Sequence, residues 1–321
     1  MKPYPKPYLS VAQQISKLQG RGLFIDDLAK AEGHLSKIGY YRLSGYWHPM
    51  RESRIVRDAS GARRVEICDT FRPGAQFSHV VDLYVFDKKL RLVMLDALER
   101  IEIALRADIA LLLGKRSPWA HREAKFLHGQ FSKPRPGELS KLDDFNSRAD
   151  QREQNAKDDF AAHYRRKYSD PMPIWIAVEL WEFGTLSHFV SGMRVQDQDT
   201  IAARYGITRD TLRSWVWTLS FVRNICAHHG RLWNRAMVAQ PMDPKGTNVP
   251  LLDHLAGQRS ALERFYGAAA ITRYFQLQIN PNSTWGVRFV EIFRTFPDAP
   301  GISLKNAGFP ENWRTLPIWA T

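Results

Sequence analysis

The sequence predicts an all-α protein with a helical bundle at its centre. Three observations carry that prediction. Between Phe77 and Gly114 there is neither Pro nor Gly, and Val80, Leu83, Leu90, Met94, Leu98, Ile101, Leu105, Ile109 and Leu112 recur at helical spacing. A second stripe of Leu212, Trp215, Leu219, Val222 and Cys226 follows the same period. The run "VEIC" (65–68) is the only strand-like stretch, and no segment repeats at a fixed period.

The elements follow in chain order. Ser10 is placed to cap a helix through "VAQQISKLQ", "GRG" at 20–22 forms a turn, and a second helix covers about 27–37. Residues 51–75 form a basic loop or hairpin. The 77–114 stretch is one helix of about ten turns. Residues 115–160 turn polar and charged, the composition of a mobile connection. Pro173 opens a helix "PIWIAVELWEF" that Gly184 ends, and Thr185 caps the next, "TLSHFVSGM". Thr208 caps the helix that runs to Gly230. After the linker "PMDPKGTNVP" (241–250), amphipathic helices cover about 258–278 and 284–295. The chain thus divides into an N-terminal helical and basic region (1–75), a central bundle (76–240) and C-terminal helices packed on it (241–321).

Composition narrows the partners. The formal net charge is +13, which favours a polyanion, either nucleic acid or an anionic membrane surface. No apolar run approaches the ~20 residues of a spanning helix, "IALLLGK" (109–115) being far too short. The N-terminus lacks the apolar core of a signal peptide. Two cysteines, Cys68 and Cys226, suit a reducing cytoplasm and offer neither a disulfide framework nor a zinc site.

The chemistry concentrates in "FVRNICAHHGRLWNR" (221–235). An Arg followed by a His after four to six residues is the bare pattern of one class of RNA-cutting site, but His48, His79, His121, His128, His228 and His229 all satisfy it. Helical context discriminates. Only Arg223, Asn224 and His228 sit together on a well-marked helix, with Asn224 and His228 as i,i+4 neighbours. Two readings stay open: basic groups complementing a helix C-terminal dipole, or a phosphate site. Glu102 bears on the choice, because it falls in the apolar seam of the 77–114 helix, and an unpaired buried carboxylate is very costly. Its partner is Arg106, four residues on, or Arg223 from the other helix. In the second case the carboxylate would fix the guanidinium and leave its other edge for phosphate. Arg231 and Arg235 are candidate phosphate contacts past the helix end. Tyr40, Tyr41, Arg42, Tyr46 and Trp47 either stack bases or belong to the core. Trp175 and Glu179 read as structural, and Cys226 as a small buried hydrophobe.

The segments "KPYLSVAQQISKL", "IGYYRLSGYW", "LYVFDKKLRLVMLDALERIEIALR", "PIWIAVELWEFGTLS", "LSFVRNICAHHGRLWNR" and "GFPENWRTLPIW", in this order, resemble the Abi family of bacterial abortive-infection proteins (the AbiD/AbiF-like group). The match runs from near residue 6 to the C-terminus and is weakest at 115–160. The family is similar to the wider HEPN superfamily of toxin and CRISPR-effector ribonucleases. The resemblance implies a HEPN-like bundle, metal-independent endoribonuclease activity at the Arg-x4-His motif with no cofactor, and a cytoplasmic role in phage defence. His228 would be the acid/base, Arg223 the phosphate stabiliser and Asn224 an orienting group. One histidine cannot readily perform both proton transfers, so a two-fold homodimer pairing two motifs is expected. His229 is the alternative second group, although adjacent helical residues diverge by about 100°. The competing function is a non-catalytic RNA-binding module regulated by a structured non-coding RNA. A DNA-binding regulator using the N-terminal helix pair is a third.

Overall fold

The computed structural model describes residues 3, 5–58, 60–134, 136–246 and 249–320; Thr247 and Asn248 of the expected 241–250 linker lie outside them. The N-terminal region contains α1 (Val11–Gly20), α2 (Leu28–Ile38) and α3 (Tyr40–Trp47), followed by an antiparallel hairpin of β1 (Arg51–Arg57) and β2 (Arg63–Phe71). Ser10 closes a capping box with Gln13, and Asp27 caps α2. The aromatic stretch at 40–47, to which periodicity assigned no element, is helical. The hairpin pairs Ile55 with Val65 and Ser53 with Ile67. It is the only sheet among the described residues, so the fold is mostly helical rather than wholly so.

Then comes α4 (Phe77–Gly114), 38 residues and about 57 Å at 1.5 Å per residue. Beyond it lie α5 (Gly129–Ser132), α6 (Lys141–Asn155), α7 (Asp159–Lys167), α8 (Ile174–Ala177), α9 (Phe183–Gly192), α10 (Val195–Arg204) and α11 (Arg209–Ala227). The C-terminal part holds α12 (Arg259–Leu262), α13 (Phe265–Ile279) and α14 (Trp285–Ile292). Helix α4 is the axis: α3, α8, α9, α11, α13 and α14 all pack on it. One core cluster runs from Ile15 to Trp319 and includes the whole Leu212–Cys226 stripe. Trp285 Nε1 and Gln276 Nε2 each donate to a carbonyl of α4, those of Val93 and Ala97, both at 2.7 Å. These buried bonds fasten the C-terminal helices to the central one. None of the helices is long and apolar enough to cross a membrane, among the described residues.

Three expected elements differ. The 115–160 connection is folded, because Leu142, Phe131 and Phe145 insert into the core and Arg122 grips Asp150 and Glu153, both at 2.6 Å. Phe131 lies so close to Gly192 that a Cβ there would meet its ring at 2.5 Å, so only glycine fits. The expected "PIWIAVELWEF" helix breaks at Trp181 and Glu182, which are extended, and α9 begins at Phe183 with Gly184 and Thr185 inside it. The break turns Trp181 into an aromatic cluster with His121, Phe145 and Phe189. The 258–278 helix is likewise interrupted, at Glu263 and Arg264, between α12 and α13.

His121 is fully buried, and neither ring nitrogen has a partner among the described residues. Burial, reinforced by Arg122, drives its pKa from 6.5 down to about 3. The imidazole is therefore neutral in the fold, and the stability this contributes is present above pH 6.5 and lost as pH falls towards 3. The slope is up to about 1.4 kcal/mol per pH unit. His121→Leu is expected to flatten the decline of the urea midpoint between pH 6.5 and 4. A wild-type decline retained in full would assign it to other groups.

Candidate active site

Helix α11 is built to present its last turn. Thr208 caps its start by accepting from Thr211 N–H, and the Leu212–Cys226 stripe seats it against α4 and α9. The register of that packing brings Arg223 beside Glu102 of α4, with Nε to Oε2 at 3.6 Å. Glu102 is only 6% exposed and also accepts from Arg106 at 2.7 Å. Both partners expected for the seam carboxylate are thus present. Burial raises the Glu102 carboxyl above its usual range, Arg106 and Arg223 pull it back, and nearby Glu182 adds to the rise.

The two arginines differ in what they have left. Arg106 also donates to the Trp181 carbonyl (2.7 Å) and to Glu179 (3.3 Å), so both its terminal nitrogens are engaged and only its buried Nε lacks a partner among the described residues. Glu179 and Trp175, read as structural, are both exposed, and Glu179 pairs with Arg106 from the surface side. Arg223 is half-buried: Nε faces Glu102, Nη1 lies 3.4 Å from Asn224 Oδ1, and Nη2 has no partner among the described residues. Asn224 and His228 are exposed beside it. A carboxylate behind and a free edge in front is a geometry suited to gripping a phosphate in a fixed orientation.

Helix α11 ends sooner than its pattern suggests. Ala227 is its last residue, His228 is the C-cap and His229 is left-handed at φ +57. Gly230 N–H reaches the Ile225 carbonyl (2.8 Å) and His229 N–H the Cys226 carbonyl (3.1 Å), the paired bonds of a Schellman cap. Glycine usually takes the left-handed position, yet here histidine holds it, the only non-glycine residue with positive φ among those described. The expected 100° divergence of His228 and His229 presumed a continuous helix and does not apply. Since the left-handed backbone costs a non-glycine about 1–2 kcal/mol, offset by the greater unfolded freedom of glycine, His229→Gly is expected to stabilise the fold by about 0.5–1 kcal/mol. A lower denaturant midpoint in that variant would show that the imidazole itself contributes packing.

Residues around the cap hold it in place. Arg42 donates to the His229 carbonyl at 2.8 Å, and Arg231 to the Gly45 carbonyl, so both tie the cap to α3. Arg235 is exposed and lies over the Phe221 ring. Of the aromatic cluster, Tyr46 and Trp47 are core and Tyr40 stacks edgewise on Trp47, which leaves Tyr41, 92% exposed, as the one ring open to a base. Among the rival histidines, His121 is buried, His128 caps α5, and His48 lies outside the Arg223 cluster.

Sequence reasoning missed the strongest anchor. Asp87 of α4 is fully buried and accepts from Tyr46 Oη (2.8 Å), Leu232 N–H (3.1 Å), Trp233 N–H (2.8 Å) and Arg91. Arg91 in turn lies 3.3 Å from the Gly230 carbonyl. The loop after the motif is therefore clamped to α4, as Arg223 is through Glu102. The signal was available: Asp87 falls between Leu83, Leu90 and Met94, the same seam that singled out Glu102.

A family model described as Abi-like protein matches residues 33–234, from α2 to the loop that Asp87 holds. The chain belongs to this Abi-like family. Membership links it to abortive infection, the phage defence in which an infected cell sacrifices its own growth. No curated protein and no solved structure matches this Abi-like chain. The family match ends at Asn234, so α12 and the two C-terminal helices that pack on α4, α13 and α14, lie beyond it.

Proposed function

We propose that this Abi-like chain is a metal-independent endoribonuclease of the HEPN type, acting in the cytoplasm as a phage-defence effector. The observation that carries the reading is Arg223, held from behind by buried Glu102, with a free edge beside exposed Asn224 and His228. RNA supplies its own nucleophile, the 2′-OH. In the proposed reaction this oxygen attacks the adjacent phosphorus, a base takes its proton, and an acid protonates the departing 5′-oxygen. The products are a 2′,3′-cyclic phosphate and a 5′-hydroxyl. Arg223 stabilises the charge on the phosphorane and His228 moves a proton.

The second proton transfer falls to the motif of a partner copy in a two-fold dimer. Trp217, 52% exposed, shares a face of α11 with Phe221, Asn224 and His228, and such a ring beside the motif supports a second copy docking there. The net charge of +13 supports RNA as the partner but also fits an RNA-binding module that does not cut. Incubating RNA with the full chain in chelator separates the two. Cyclic-phosphate ends are expected, with specific activity falling on dilution as the dimer dissociates. RNA that is bound and left intact would instead establish the binding module.

A further inference from the structure

A cleft of about 1460 Å3 lies next to the motif loop. One wall is the β2 face carrying Val65 and Ile67, both exposed, and the other is the start of α13 with the C-terminal tail. Asn234 lines the cleft and directly follows Trp233, whose N–H Asp87 holds. His48 lines it as well, its imidazole kept below its usual pKa by burial and then by the nearby Arg51 and Arg231. The cleft is therefore reached by the short loop that leads out of the Arg223–His228 motif.

Its chemistry is mixed in a specific way. Arg264, Lys305 and Arg314 are exposed along it. Of the lining carboxylates, Glu263 is already engaged by Arg259, so only Glu311 opposes them. Two buried polar atoms behind its wall, Asn234 Oδ1 and Trp313 Nε1, have no partner among the described residues. Apolar walls and a cationic rim match splayed nucleobases on a phosphate backbone, whereas an A-form duplex offers mainly phosphates and a shallow groove. The volume exceeds the roughly 300–1,000 Å3 of a small-molecule site, which favours an oligomeric ligand over a single nucleotide.

We infer that this cleft holds a single-stranded RNA segment continuing from the phosphate gripped at Arg223. The inference rests on RNA being the partner of the chain, and it adds where the flanking nucleotides lie. In a full-length His228→Ala background, Lys305→Glu with Arg314→Glu is expected to weaken binding of fluorescein-labelled oligouridylate by about tenfold or more. The salt dependence of binding should also become shallower, by roughly 0.7 in slope per lost phosphate contact. Both side chains are exposed, so the melting temperature should hold. Lys157→Glu with Lys167→Glu, an equal change of charge on α7 and the turn before it, is expected to weaken binding less than about twofold. Equal effects of the two pairs overturn the cleft assignment and leave the RNA reading standing. Failure of the His228→Ala parent to bind the oligonucleotide at all overturns both. With His228 intact, a raised KM at unchanged kcat identifies the occupant as the substrate strand. Weakened binding at unchanged KM assigns the cleft to a separate regulatory strand instead.

Discussion

Replacing His228 with alanine is expected to lower kcat for RNA cleavage by about 10²–10⁴-fold while RNA affinity stays within a few-fold of wild type. The split follows from position. His228 is exposed at the C-cap of α11 and has no partner on which the fold depends, so its loss removes a proton carrier and little else. Arg223→Lys should be nearly as damaging to kcat. An ammonium can keep a charge near Glu102, but it cannot face the carboxylate with one edge and a phosphate with the other. The two variants therefore make a matched pair, one removing proton transfer and one removing oriented charge. Single-turnover rates with labelled RNA would measure both. Full activity in His228→Ala would remove this histidine from the reaction altogether.

Asp87→Ala is expected to cost about 3–5 kcal/mol, the range for removing one member of a buried ion pair. The carboxylate is enclosed with four donors around it, and deletion strands Arg91, itself 5% exposed, together with the N–H groups of Leu232 and Trp233. Asp87→Asn should cost less, since the amide oxygen can still accept from the backbone. Because the loop it holds begins at the cap carrying His228, Asp87→Asn is also expected to lower activity more than its stability alone would explain. Chemical denaturation of both variants, alongside cleavage at a temperature where each stays folded, checks the claim. Equal stability of Asp87→Ala and wild type would mean that the loop is held by its other ties, Arg42 and Arg231.

What the sequence revealed depended on whether local pattern or distant contact decided the structure. Helix α4 was legible because nothing in residues 77–113 can break it and its stripe is continuous. The Ser10 and Thr208 caps were legible for the same local reason. The break at Trp181 was not, since a run of apolar residues at helical period carries no mark of the aromatic cluster that pulls it open. The 115–160 segment looked mobile because its polar composition hid three apolar anchors, although Ser140 and Asp143 form a capping box that short-range reasoning could have found. Glu102 was found and Asp87 overlooked by one and the same argument. The left-handed His229 could not be anticipated, because the rule for helix ends assigns that place to glycine, and Gly230 stands one residue later.

Helix α4 carries both carboxylates that hold the motif, Glu102 under Arg223 and Asp87 under the loop, fifteen residues apart in the sequence. A residue inserted or deleted between them would turn one against the other by about 100° and shift it by about 1.5 Å, so no single adjustment of α11 could meet both. The length of this stretch is consequently a fixed quantity in the evolution of the protein. Residues 87 to 102 can be exchanged only one for one.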